Sequence, residues 1–302
     1  MPGQGRQNQL SLVGVLRRNN AVLVLVRWRV LMLQRVLVLV AALLVVACAG
    51  TATTPFINFE RSLDDGPSFS AYLVSYQSAG LKVYAMVAVP KLAMPENGFP
   101  VVIANHGYVP DPTKYGITAA GTDSRPGDYY RSVPELYASR GFLVVLPDYR
   151  GHNDSDGSEF VHKPESVGLY AEDVVALMMH LGEIENADLK NVFLWSHSMG
   201  GGVSIRVQLA TDLIRGASYW ATTSVDDQAG RLDELTAPIV IQHSSGDKST
   251  EHSNSERFQS ALKSVDHSVT MYTYDGPHHY FEDSDREQAA DRDALLFRSL
   301  MR

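Results

Sequence analysis

Val192-Phe193-Leu194-Trp195-Ser196-His197-Ser198-Met199-Gly200-Gly201-Gly202 is the stretch that decides how this chain is read. It opens on four apolar, strand-favouring residues and closes on three glycines, with Ser198 at the junction. A strand that turns sharply into a helix crowds its own backbone at the corner, so only small residues fit two before and two after the apex. Ser196 and Gly200 meet that demand, although Ser196 brings a Cβ to a place where glycine is usual. The pattern is that of a nucleophile elbow, in which a strained turn holds the serine hydroxyl out from the sheet. The plain alternative is a Ser/Gly-rich helix start without chemistry.

A serine hydroxyl is a poor nucleophile at neutral pH until a histidine accepts its proton, and that histidine needs a carboxylate to fix its tautomer. In a strand-elbow-helix architecture the acid and then the histidine follow in chain order, each in a loop after a later strand. Residues 239–243 read as a strand leading into Ser244-Ser245-Gly246-Asp247, and residues 270–274 as one leading into Asp275-Gly276-Pro277-His278-His279-Tyr280-Phe281. The order is satisfied. Asp226 and Asp227, after a strand at 217–221, compete with Asp247, and only one of the adjacent His278 and His279 can face Ser198.

Further buried strands are expected at 101–105, 143–146, 192–195 and 217–221, with helices at 133–140, 167–182, 199–211, 255–265 and within 285–301. Short apolar runs alternating with longer amphipathic stretches predict an α/β fold, a mostly parallel central sheet with helices on both faces. Residues 70–90 read as a hairpin that breaks at Ser78-Ala79-Gly80. Only residues 222–238 separate two of the strands, which leaves no room for a large cap domain and predicts an open site. Substrate contacts are expected from residues 108–130, with Tyr115, Tyr129 and Tyr130, and from residues 154–165.

Over roughly residues 70–300 the chain resembles the α/β-hydrolase superfamily, in particular its dienelactone-hydrolase-like and prolyl-oligopeptidase-like branch. His106-Gly107-Tyr108 is similar to the oxyanion loop of that branch, and Asp148-Tyr149-Arg150-Gly151-His152-Asn153-Asp154-Ser155 to its D-x-R-G-x-G-x-S stretch. Asn153 stands where glycine is usual, and asparagine tolerates a left-handed backbone better than most residues. The resemblance implies Ser198 as nucleophile, Asp247 as acid, His279 rather than His278 as base, and an oxyanion hole from the backbone N–H groups of Met199 and Tyr108. His106 is expected to order the loop. The implied activity is hydrolysis of a carboxylic ester through an acyl-enzyme, with no metal or organic cofactor. A prolyl-oligopeptidase-like peptidase or amidase would use the same triad, and a non-catalytic lipid-anchored binding protein is the reading from a different class.

The front of the chain belongs to another class of sequence. Arg6, Arg17, Arg18, Arg27, Arg29 and Arg35 precede the first acidic residue, Glu60, so the part that follows is more acidic than the net −8 of the whole chain. Such a surface repels phosphate backbones, and no nucleic-acid partner is expected. Residues 36–47 form an apolar stretch behind Arg35, as in a signal-peptide h-region, and the arginines at 27, 29 and 35 argue against one continuous membrane span. Val45-Val46-Ala47-Cys48 resembles a bacterial lipobox, which implies lipid attachment at Cys48 and export to the cell envelope. Cleavage without lipid and an uncleaved anchor are the alternatives. Residues 1–31 read either as an extended n-region or as sequence upstream of a start at Met32. The expected organisation is a targeting segment at 1–47, a tether at 48–69 and a catalytic domain at 70–302. A single cysteine excludes an internal disulfide, and the histidines show no metal-ligand spacing.

Overall fold

The computed structural model describes residues 55–302. The targeting segment at 1–47 and Cys48 lie outside the described residues. Nine strands form one sheet in the order β1-β2-β3-β5-β4-β6-β7-β8-β9. They are β1 (Asn58–Ser62), β2 (Phe69–Ser78), β3 (Leu81–Pro90), β4 (Phe99–Asn105), β5 (Leu143–Pro147), β6 (Ala187–His197), β7 (Ile214–Trp220), β8 (Ile239–Ser244) and β9 (Val269–Tyr274). From β5 across to β9 every neighbouring pair is parallel, while β1, β2 and β3 join antiparallel. This is the α/β-hydrolase fold expected from the sequence.

The central parallel strands, β4 and β5 foremost, are apolar on both faces because both faces are covered, whereas the edge strand β9 is largely uncovered. Val101 and Ile103 of β4 and Leu143 and Val145 of β5 enter one core, whereas Val102, Ala104, Val144 and Leu146 enter the other. The first core lies under α2 (Ser166–Met178), α3 (Met199–Ala210) and α4 (His252–Ser264), through residues such as Val174, Ile205 and Phe258. The second lies under α1 (Val133–Ala138) and α5 (Asp283–Ser299). On α5, Phe297 is fully buried and stacks on Phe193 of β6 at 4.5 Å between ring centroids. Truncating a ring so placed costs about 3–5 kcal/mol.

The expected hairpin closes on Ala79 and Gly80, both at positive φ (49° and 83°), with Ser78 paired to Leu81. Positive φ at both central residues is the turn whose twist matches that of two antiparallel strands. Residues 58–62 correct one boundary: expected as tether, they form the edge strand β1, paired with β2 through Asn58 and Ser62. Its Asn-Phe-Glu-Arg-Ser sequence carries no apolar alternation because four of its five residues are exposed, and charge on an edge strand discourages pairing with another chain. Residues 221–238, between β7 and β8, hold only a short 3₁₀ stretch at Asp226–Glu234 and no cap. Among the described residues no helix is long and apolar enough to cross a membrane.

Candidate active site

β6 delivers Ser198 to the carboxyl edge of the sheet, and the turn into α3 is as tight as its sequence requires. Ser198 has φ 54° and ψ −123°, a conformation that L-residues rarely adopt and that costs on the order of 1–3 kcal/mol. Gly200 is obligatory here, because a Cβ on it would lie 2.1 Å from the carbonyl oxygen of Asn105 in β4. Ser196 fits in place of the usual glycine; it is fully buried and its hydroxyl donates to the Ser218 carbonyl at 3.0 Å. Met199 opens α3, so its N–H is one of those a helix leaves without an internal partner. The loop after β4 presses on the serine so closely that a Cβ on Gly107 would lie 2.9 Å from that of Ser198.

Asp247 follows β8 and its carboxylate is fully occupied. Oδ1 accepts the backbone N–H groups of Ser249 at 2.7 Å and Thr250 at 3.2 Å. Oδ2 accepts Nδ1–H of His279 at 2.7 Å and Nε2–H of His243 at 3.1 Å. Burial pushes this carboxyl up, but the hydrogen bonds from His243, His279 and Ser249 outweigh it and hold the group well below the usual carboxylate range. A proton on Nδ1 of His279, directed at Asp247, leaves Nε2 as the basic nitrogen. Ser198 and His279 line the same cavity.

The rivals fall elsewhere. His278 pairs with Glu282 at 3.1 Å, Asp227 pairs with Arg206, and Asp226 lies 3.8 Å from Arg257 on the surface. His106 is buried between Tyr115 and Tyr149, stacked on them at 4.0 and 4.2 Å, and reaches the carbonyls of Gly107 and Asp148. Burial pushes its pKa down to about 3, and its place between the two rings orders the loop. Asn153 adopts φ 49°, as expected from its place in the motif, and does more than tolerate it. Its side chain accepts the Gly116 N–H at 2.6 Å and donates to Asp148 at 2.8 Å, latching the 108–130 segment to the loop after β5.

The cavity over Ser198 has a volume of about 730 Å³. Tyr108, Val109, Pro110, Ile117 and Tyr129 give it an apolar wall, and Tyr115 and Tyr130 lie deeper, so the 108–130 segment lines it as expected. Residues 154–165 do not line it; His162 instead stacks on Tyr108 at 4.7 Å and donates to the Val109 carbonyl at 3.1 Å. The charged lining groups are engaged, Lys114 with Asp111 at 2.8 Å and Asp128 with the Ala119 N–H at 2.7 Å. Among the described residues no cluster of side chains suited to a metal ion occurs.

Sequence reasoning missed His243, Thr250, His197 and the hydroxyl of Tyr130, all of which touch this site by hydrogen bonds. His243 lies one residue before the end of β8 and reads in sequence as one more strand residue; only its distance to Asp247 sets it apart.

The comparisons with known proteins agree with this architecture. A family model described as serine aminopeptidase, S33, matches residues 121–218, a stretch that contains Ser198 but neither Asp247 nor His279. The lysophosphatidylserine lipase ABHD12 of Danio rerio is 31% identical over 174 residues, which cover 53% of this chain and 38% of that protein. Acylaminoacyl peptidase of Pyrococcus horikoshii superposes with a TM-score of 0.63 at 16% identity, covering 80% of this chain and 44% of that one. A Klebsiella pneumoniae protein assigned as a dienelactone hydrolase superposes with a TM-score of 0.59 at 16% identity, covering 76% of this chain and 99% of that one. The chain thus spans less than half the length of the lipase and of the peptidase. All of these similarities are to proteins described as hydrolases.

Proposed function

We propose that this chain is a serine hydrolase that cleaves carboxylic esters through an acyl-enzyme, with Ser198, Asp247 and His279 as its triad. The observation that carries the reading is the 2.7 Å hydrogen bond from His279 Nδ1 to Asp247, on a histidine that shares a cavity with the strained Ser198. In this reading Nε2 of His279 takes the Ser198 proton as Oγ attacks the ester carbonyl. The N–H groups of Met199 and Tyr108 receive the developing oxyanion, and His279 returns the proton to the leaving alkoxide. Water then repeats the sequence on the acyl-enzyme. Asp247, ionised throughout, orients His279 and stabilises its imidazolium.

The wall of Tyr108, Val109, Ile117 and Tyr129 favours a neutral substrate with an apolar acyl or aryl group. An ammonium terminus of a peptide would need a free carboxylate, and the one carboxylate among the lining residues, Asp128, already serves Ala119. The lipase relative leans the same way. The match to a serine aminopeptidase family keeps peptidase action as the second reading. Esters expel an alkoxide with little help, whereas an amide nitrogen must be protonated in a well-aligned geometry. The test is kcat/KM on short-chain 4-nitrophenyl esters against aminoacyl and prolyl 4-nitroanilides, with EDTA present. Ester turnover should exceed amide turnover by orders of magnitude, and amide turnover equal to it would establish the peptidase instead.

The proposal extends to placement: export behind the 36–47 stretch and a lipid on Cys48 would hold the catalytic domain at the bacterial cell envelope, outside the cytoplasm.

A further inference from the structure

Behind the cavity a line of buried polar groups crosses three loops. Gly107 donates its N–H to the hydroxyl of Tyr130 at 2.9 Å, and that hydroxyl lies 2.7 Å from Nδ1 of His197. Nε2 of His197 lies 2.9 Å from the carbonyl of His279. The two ends fix every proton between them. A backbone N–H can only donate, so the Tyr130 oxygen accepts from Gly107 and its own proton goes to His197 Nδ1. A carbonyl can only accept, so the ring proton of His197 sits on Nε2. One tautomer satisfies the whole line, and it is neutral. Tyr130 and His197 are both buried, and burial pushes the His197 pKa down to about 3, in keeping with the neutral state.

What the line connects matters more than its length. Gly107 immediately precedes Tyr108, His197 immediately precedes Ser198, and the far end is the backbone of His279 itself. These are the loops after β4, β6 and β9.

We propose that Tyr130 and His197 form a neutral hydrogen-bonded strut that sets the spacing between the oxyanion loop, the nucleophile and the base, and so act as positioning residues for Ser198 chemistry. The inference rests on the triad assigned under the proposed function. Catalytic groups must be held within about 0.5 Å of their productive geometry, and a line of three hydrogen bonds that ties the three loops together does that. Its removal therefore acts on the transition state rather than on substrate binding.

The experiment compares Tyr130→Phe, His197→Gln and the double variant with the wild-type chain, using 4-nitrophenyl acetate turnover, the rate of fluorophosphonate labelling and thermal melting. Tyr130→Phe keeps the ring packed on Trp195 and deletes only the hydroxyl. Turnover should fall about 10- to 100-fold, less than the roughly 10²–10³-fold produced by loss of one oxyanion-hole donor, with KM changed little and labelling slowed in parallel. His197→Gln retains a donor for the His279 carbonyl but not the ring that spans both partners. It should also lose turnover, and the double variant should be little worse than the poorer single one because the two residues share one line. Unchanged turnover in Tyr130→Phe, a loss confined to KM, or strictly additive losses would overturn the strut while leaving the triad intact. A wild-type chain inert to both ester and probe would overturn the triad and the strut together.

Discussion

Replacing Arg150 by methionine isolates a part of the fold that supports the site from below. Arg150 belongs to the Asp148-Tyr149-Arg150-Gly151 motif, and its guanidinium grips Asp173 of α2 with Nη2 at 2.7 Å from Oδ1 and Nε at 3.1 Å from Oδ2. The Arg150 backbone N–H also reaches Oδ2 at 2.8 Å. Asp173 is fully buried and the Arg150 side chain is nearly so. In Arg150→Met the aspartate keeps only the backbone donor, and an uncompensated buried charge of this kind costs about 3–5 kcal/mol. For a domain of this size each kcal/mol lowers Tm by about 2–4 °C, so a fall of roughly 6–20 °C is expected.

The remedy follows from the same geometry. In Arg150→Met/Asp173→Asn the buried charge is gone and the amide oxygen still accepts the backbone N–H, so the double variant should recover most of the loss. Urea and thermal unfolding of a soluble form beginning after Cys48 measure both effects. A single variant within 1 kcal/mol of wild type, or a double variant as unstable as the single one, would refute the argument.

Ser198→Ala should leave the melt unchanged, lower ester turnover by roughly 10⁴–10⁶-fold and abolish fluorophosphonate labelling; label appearing at Ser196 or Ser244 instead would move the nucleophile. His279→Ala should be nearly as damaging as Ser198→Ala, with the double variant little worse than either, whereas His278→Ala should be mild because its partner is Glu282. The reverse ranking of the two histidines would mean that His278 is the base. Cys48→Ser should release the protein from membranes or change its processing, and intact mass should show a wild-type chain beginning at a lipid-modified Cys48. A thioether lipid together with an amide-linked acyl chain anchors stably where one chain does not, and recovery of membrane protein retaining residues 1–47 would contradict cleavage.

The sequence by itself determined the elements that repeat a short-range pattern. The parallel strands β4 to β8 read as apolar runs because a sheet covered on both faces has no polar face to alternate, and each overlaps its expected span; β9, expected as buried, is an edge strand in which only Tyr274 is buried. The strained strand-to-helix turn at Ser198 was legible because its sterics act over five consecutive residues, from Ser196 to Gly200. β1 was not legible, since an exposed edge strand carries no hydrophobic signature and is recognised only by its pairing with β2.

The order of acid and histidine could be read from the chain, but the choice between His278 and His279 is one of direction. A one-residue shift in a loop turns a side chain from Glu282 to Asp247, and composition does not record that. The strut and the double grip on Asp247 belong wholly to the tertiary structure. Tyr130 and His197 are 67 residues apart and meet only because the loop after β4 folds back over the carboxyl edge of the sheet. His243 reaches Asp247 only because the chain turns back at once after β8, so that the penultimate residue of a strand faces the carboxylate four positions on. Local sterics and hydrophobic pattern are written residue by residue, whereas hydrogen-bond partners drawn from different loops come into being when the sheet brings those loops to one edge.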